Sequence, residues 1–107
     1  MKDWAALRAR YQQDSLSIQL GGLASNLNRI AWHAEHGDRP APSIFLESKY
    51  FTEWAAASCS LEQQGVLADV QRQLAVWERG WAHRVDGPTI AYEAHTWSTK
   101  LLKISGL

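Results

Sequence analysis

The sequence predicts an all-α fold, an up-down four-helix bundle with a long first helix, and two observations predict it. The first is a set of three apolar stripes at 4-3-4-3 spacing: Leu16-Leu20-Leu23-Leu27-Ile30-Ala34, Leu67-Val70-Leu74-Trp77-Trp81 and Ile90-Ala94-Trp97-Leu101-Ile104. Residues at those steps stack on one side of a helix with 3.6 residues per turn. The second is that the connections between the periodic segments are short, which favours antiparallel neighbours. A chain of 107 residues is read as a single domain, 1–107, with one modest core.

The elements follow in order. Asp3 serves as N-cap of the first helix, which is expected to run to about His36 and to stop at Gly37 in the left-handed conformation. Gly37 to Pro42 reads as a loop, stiffened by Pro40 and Pro42. Ser43 caps a second helix reaching roughly Ser58, with a broad pattern of Ile44, Phe45, Tyr50, Phe51 and Trp54. Ser60-Leu61-Glu62-Gln63 fits a capping box and opens the third helix, which continues to about Arg84. Asp86-Gly87-Pro88 is a turn, with Pro88 at the first position of the fourth helix. That helix ends at Ser105, with Gly106 as a Schellman glycine and Lys100 and Lys103 at its negative end.

The predicted first helix has two apolar faces. Leu16, Leu20, Leu23, Leu27, Ile30 and Ala34 fall on one side; Trp4, Leu7, Tyr11, Ile18 and Trp32 fall nearly opposite, with Gly21, Gly22 and Ser25 among them. A glycine inside a helix costs roughly 1 kcal/mol relative to alanine, so the pair needs an explanation. Either the helix breaks at Gly21-Gly22, or small residues there admit another helix. The second face then meets another subunit, and Trp4, Leu7, Tyr11, Ile18, Gly22, Ser25 and Trp32 are the candidate interface of a homodimer. The alternative is that Trp4, Leu7 and Tyr11 cover the end of their own bundle. Six tryptophans in the chain admit the same two readings, core filler or partner anchor.

Composition narrows the classes. Apolar residues make up 46% of the chain, and Lys plus Arg equals Asp plus Glu at 11 each. Zero formal charge argues against a broad nucleic-acid or anionic-membrane surface and eases self-association. The lone cysteine, Cys59, forms no internal disulfide. The first residues carry no secretory pattern, and no apolar run approaches the ~20 residues that span a bilayer. The expected setting is the cytoplasm, with no cofactor.

Candidate chemistry is sparse. His33 and His36 share a helix face and suit a metal only with a third ligand from Glu35, Asp38 or His95; the alternative is a solvated helix end. Neither paired Glu-x-x-His nor His-Glu-x-x-His occurs. A histidine-phosphotransfer bundle has about this size, but no histidine here has the Leu-Lys-Gly context of that family; His95, within Glu93-Ala94-His95-Thr96, is the nearest candidate. Helical ribonucleases of toxin–antitoxin modules use an Arg and a His at short separation. Arg29 and His36 have that separation, although Ile30 stands where those enzymes place a polar residue. Cys59 at a helix start and the arginines Arg72, Arg79 and Arg84 read as an inert thiol and a solvated face.

Several segments together resemble a group of short, all-helical cyanobacterial proteins of unknown function: Tyr11-Gln12-Gln13, Leu23 to Arg29, Tyr50 to Trp54, Gln71 to Trp77, and Trp97 to Leu107. The resemblance implies a cytoplasmic helical bundle without assigned activity and transfers no catalytic residue. The function expected is a non-enzymatic, self-associating interaction module, an adaptor or regulatory subunit. The competing class is an enzyme or signalling carrier acting through Arg29 and His36 or through His95.

Overall fold

Among the residues that the computed structural model describes, the chain forms five α-helices: α1 (Trp4–Gln13), α2 (Leu16–Glu35), α3 (Pro42–Ala56), α4 (Leu61–Ala82) and α5 (Gly87–Ser105). The structure describes residues 3–37, 42–82 and 87–106, and among them there is no strand. The all-α class is as expected. The count of four and the long first helix are not, because the expected helix from Asp3 to His36 is two helices.

The break lies at Asp14-Ser15, not at Gly21-Gly22. Asp14 leaves the helix with φ −72° and ψ 154°, and its N–H donates to the Tyr11 carbonyl. Ser15 is also extended and caps α2, its Oγ accepting from the Ile18 N–H at 3.3 Å. Short polar side chains of this kind compete with the helical ladder for backbone groups, so they favour caps over helix interiors. Both glycines lie inside an uninterrupted α2.

Other ends match their chemistry. Asp3 Oδ1 accepts from the Ala6 N–H at 3.1 Å, as an N-cap should. The capping box is reciprocal: Ser60 N–H donates to Gln63 Oε1 at 2.8 Å, and Gln63 N–H to Ser60 Oγ at 3.2 Å. Gly37 and Gly106 have φ of 73° and 78°. Two starts move: α3 begins at Pro42 rather than after a Ser43 cap, and α5 begins at Gly87, one residue before Pro88. The expected loop residues 38–41, and Arg84 and Asp86, lie outside the described residues.

The three stripes form the core. Leu20, Leu23, Leu27 and Ile30 of α2, Val70 and Leu74 of α4, and Leu101 of α5 are completely buried. Each such side chain contributes about 1.5–3 kcal/mol through burial. Phe45, Phe51, Trp54 and Ala55 of α3 join the same cluster. The α2–α5 seam is antiparallel and lined by small residues, which lets the backbones approach closely. Ser17 Oγ donates to the Ser105 carbonyl at 2.5 Å, Ser98 Oγ to the Ala24 carbonyl at 2.9 Å, and Gly87 abuts Ala34. A Cβ on Gly87 would stand 2.8 Å from the Ala34 oxygen, so the contact requires glycine.

The second pair, α3 and α4, is tied by Gln71 Nε2 donating to Thr52 Oγ1 at 2.6 Å and by a Lys49–Glu78 ion pair at 2.8 Å. The pairs meet where α2 touches α3 and α4 touches α5. The Cα trace measures 36 × 32 × 19 Å, a thickness that accommodates two helical layers at the usual 8–10 Å spacing. α2 and α5 form one layer, and its outer side is a face of the molecule. No helix among the described residues is long and apolar enough to cross a membrane.

Candidate interaction surface

The seven candidate interface residues divide into two groups. The break at Ser15 turns α1 away from the line of α2 and lays it on α3. Tyr11 is buried, its ring stacked on Phe51 at 4.0 Å and its hydroxyl donating to the Gln19 carbonyl at 2.6 Å. Trp4 packs on Tyr50 at 4.9 Å between centroids, and Leu7 lies against the core. Gly22 sits beneath the Tyr11 ring: a Cβ there would meet Tyr11 Cε2 at 3.9 Å. Tyr11 is therefore buried within the chain, and Trp4, Leu7 and Gly22 are partly covered by it. Ile18, Ser25 and Trp32 remain outside.

These three recur every seven residues, two turns apart, so they form one row along the outer face of α2. Ile18 is 54% exposed and Trp32 53%. The other tryptophans, Trp4, Trp54, Trp77, Trp81 and Trp97, are buried or packed against the core, which leaves Trp32 as the single exposed ring of the six. Trp32 stacks on the His36 imidazole at 4.2 Å, and His36 Nδ1 lies 2.7 Å from the Trp32 carbonyl. That bond fixes the His36 ring against the Trp32 main chain, and the stacking covers one face of the indole.

Two further exposed apolar side chains lie in the same layer, Tyr92 and Leu102 of α5. Sequence reasoning did not single them out. The available signal was that both fall off the Ile90-Ala94-Trp97-Leu101-Ile104 stripe. Between α2 and α5 runs a shallow groove of about 320 Å³, lined by Glu35, Pro88, Ala91, Tyr92 and His95. His95 is exposed, with Nδ1 3.2 Å from Asn28 Oδ1.

The remaining chemical candidates do not assemble. Among the described residues, no three His, Cys, Asp or Glu groups come together as metal ligands. His33 is half-buried while His36 is held by Trp32; Asp38 lies outside the described residues. Arg29 on α2 and His36, which caps its C-terminus, are both exposed. Cys59 is half-buried, and burial pushes its thiol up from the ordinary value, away from a reactive thiolate. Arg72 pairs with Asp69 one turn before it. No family model, curated protein or solved structure matches the chain.

Proposed function

We propose that this chain is a protein–protein interaction module, an adaptor or regulatory subunit of the cytoplasm that self-associates through the outer face of α2. The observation that carries the reading is the row Ile18-Ser25-Trp32: two large apolar side chains, each more than half exposed, flank a small residue on a helix whose opposite face is core. Surface apolar residues scattered singly need no explanation, whereas a row that includes an exposed tryptophan is the composition of a contact surface. Zero formal charge leaves little repulsion between copies. A free, half-buried Cys59 suits a reducing compartment.

Size-exclusion chromatography with light scattering tests this on the parent and on Ile18→Glu. The expected result is a parent mass of twice the 12.0 kDa chain and a monomeric variant with unchanged helical circular dichroism. A parent that is monomeric at every concentration rejects self-association.

One observation favours a second reading. His95 is exposed and its Nδ1 is engaged by Asn28, which directs Nε2 outward, as a phosphoryl-accepting imidazole requires. With the ring proton on Nδ1, donated to Asn28 Oδ1, the Nε2 lone pair would attack the phosphorus of the donor, forming the N–P bond as the P–O bond to the donor's leaving carboxylate breaks. Incubation with a small-molecule acyl phosphate should then give acid-labile phosphohistidine that His95→Ala lacks. Absence of label rejects this reading.

A further inference from the structure

We infer that the second copy docks by a twofold axis passing beside Ser25, with α2 antiparallel to its mate and α5 contributing half of the contact; this rests on the self-association proposed above. The argument is one of register. The seam contacts Ser17–Ser105, Ala24–Ser98, Asn28–His95 and Ala34–Gly87 fix how α5 runs beside α2, and they put Ser25 level with Trp97. Ile18 and Trp32 stand seven residues to either side of Ser25, and Leu102 and Tyr92 stand five residues to either side of Trp97. These four are the exposed large apolar side chains of the α2–α5 layer.

A closed symmetric dimer needs a surface complementary to itself: wherever one residue meets another, the reverse contact also occurs. A twofold axis level with Ser25 meets that condition at every exposed apolar position of the layer. Ile18 faces the partner's Trp32, and Trp32 faces the partner's Ile18. Leu102 faces the partner's Tyr92, and Tyr92 faces the partner's Leu102. Leu102 belongs to this edge of α5 because it lies two turns beyond His95, which reaches across to Asn28 of α2. Tyr92 belongs to it because its groove is shared with Glu35 of α2.

At the axis stands Ser25, small enough for close approach, and Arg29 falls opposite the partner's Gly21, where no side chain competes for space. Charges agree with the register. Asp14 comes level with the partner's His36, Glu35 with the partner's Ser15, and Lys103 with the partner's Ala91, so no like charges meet. A different protein would have to supply a matching surface of its own; a second copy supplies it by symmetry.

The size of the contact fits a reversible dimer. A face one helix long and two helices wide is roughly 30 Å by 18 Å, or roughly 500 Å² per protomer. That is below the roughly 600–1,000 Å² per partner of stable specific interfaces and within the range of weak, transient ones. The mass is therefore expected to fall on dilution.

Single cysteines placed in a Cys59→Ser background read the register directly. Ser25→Cys should cross-link to its twin under mild oxidation, since residues on the axis bring their Cβ atoms within disulfide reach. Ile18→Cys alone should stay uncross-linked, because its twin stands about 21 Å away along the helix. Ile18→Cys combined with Trp32→Cys should cross-link. A dimer by light scattering in which Ser25→Cys stays reduced, or in which Ile18→Cys links to itself, overturns the antiparallel register and leaves self-association standing. A monomer at every concentration overturns both.

Discussion

Tyr11 distinguishes a core residue from a surface one more sharply than any other position. Its ring is stacked on Phe51 of α3 and its hydroxyl bridges α1 to α2 through the Gln19 carbonyl. Tyr11→Phe removes one buried hydrogen bond. The Gln19 carbonyl retains its helical partner, the Leu23 N–H, so no acceptor is orphaned and the loss is about 1 kcal/mol. For a chain of this length that lowers Tm by roughly 4–8 °C. Tyr11→Ala also removes the ring stacked on Phe51, and about 3–5 kcal/mol is lost, a large part of the total stability of such a domain.

The same residue sets a pH dependence. Burial, followed by the nearby Cys59 and Asp14 charges, pushes the phenol pKa well above its ordinary value. The folded state then prefers the neutral phenol. Its contribution is complete below about pH 10, where the unfolded tyrosine titrates, and is lost as pH rises above that by up to ~1.4 kcal/mol per pH unit. Urea unfolding followed by circular dichroism at pH 7, 10 and 11 measures both effects, with Tyr11→Phe expected to lack the phenol's share of the alkaline loss. A Tyr11→Ala variant within ~0.5 kcal/mol of the parent, the range of an ordinary surface substitution, refutes the enclosed ring and returns Tyr11 to the exposed face.

Three further outcomes test the fold. Ser15→Ala should lower stability by about 1 kcal/mol in urea unfolding, because Ser15 Oγ caps α2 at the break; no effect would favour a continuous helix through Asp14-Ser15. Gly87→Ala places a Cβ 2.8 Å from the Ala34 oxygen and should cost about 1–3 kcal/mol by forcing the α2–α5 seam apart, seen as a lowered Tm. Gly65→Ala, in the interior of α4 with open space around the glycine, should stabilise by about 0.5–1 kcal/mol in the same assay.

The helical class and most of the core were legible because large aliphatic side chains at helical spacing have one reading. Leu20, Leu23, Leu27, Ile30 and Ala34 are buried as their stripe implies, and Leu16 at its start is half-buried. The break was missed for the reason that makes stripes useful. Trp4, Leu7 and Tyr11 keep helical phase with Ile18 and Trp32, so periodicity alone joins two helices into one. Asp14-Ser15 carried the signal, through cap chemistry, while the glycine pair drew attention by propensity. A continuous helix puts Tyr11 on an outer face; the break at Asp14-Ser15 turns it inward. The α2–α5 register was illegible for a different reason: it is set by Ala24, Ala34, Gly87, Ser98 and Ser105, small residues whose role appears only when two backbones are seen to touch. Tyr92 and Leu102 depend on that register, so their place on the candidate surface was hidden with it.

The central claim is that the outer face of the α2–α5 layer, and no other face, joins two copies. The most direct measurement is the light-scattering mass of Trp32→Glu beside Val76→Glu, which changes an equally exposed apolar residue on α4, in the other layer. The account predicts a monomer for Trp32→Glu and a mass of twice the 12.0 kDa chain for Val76→Glu. A Trp32→Glu variant that keeps the parent's mass, or a Val76→Glu variant that loses it, would contradict the account.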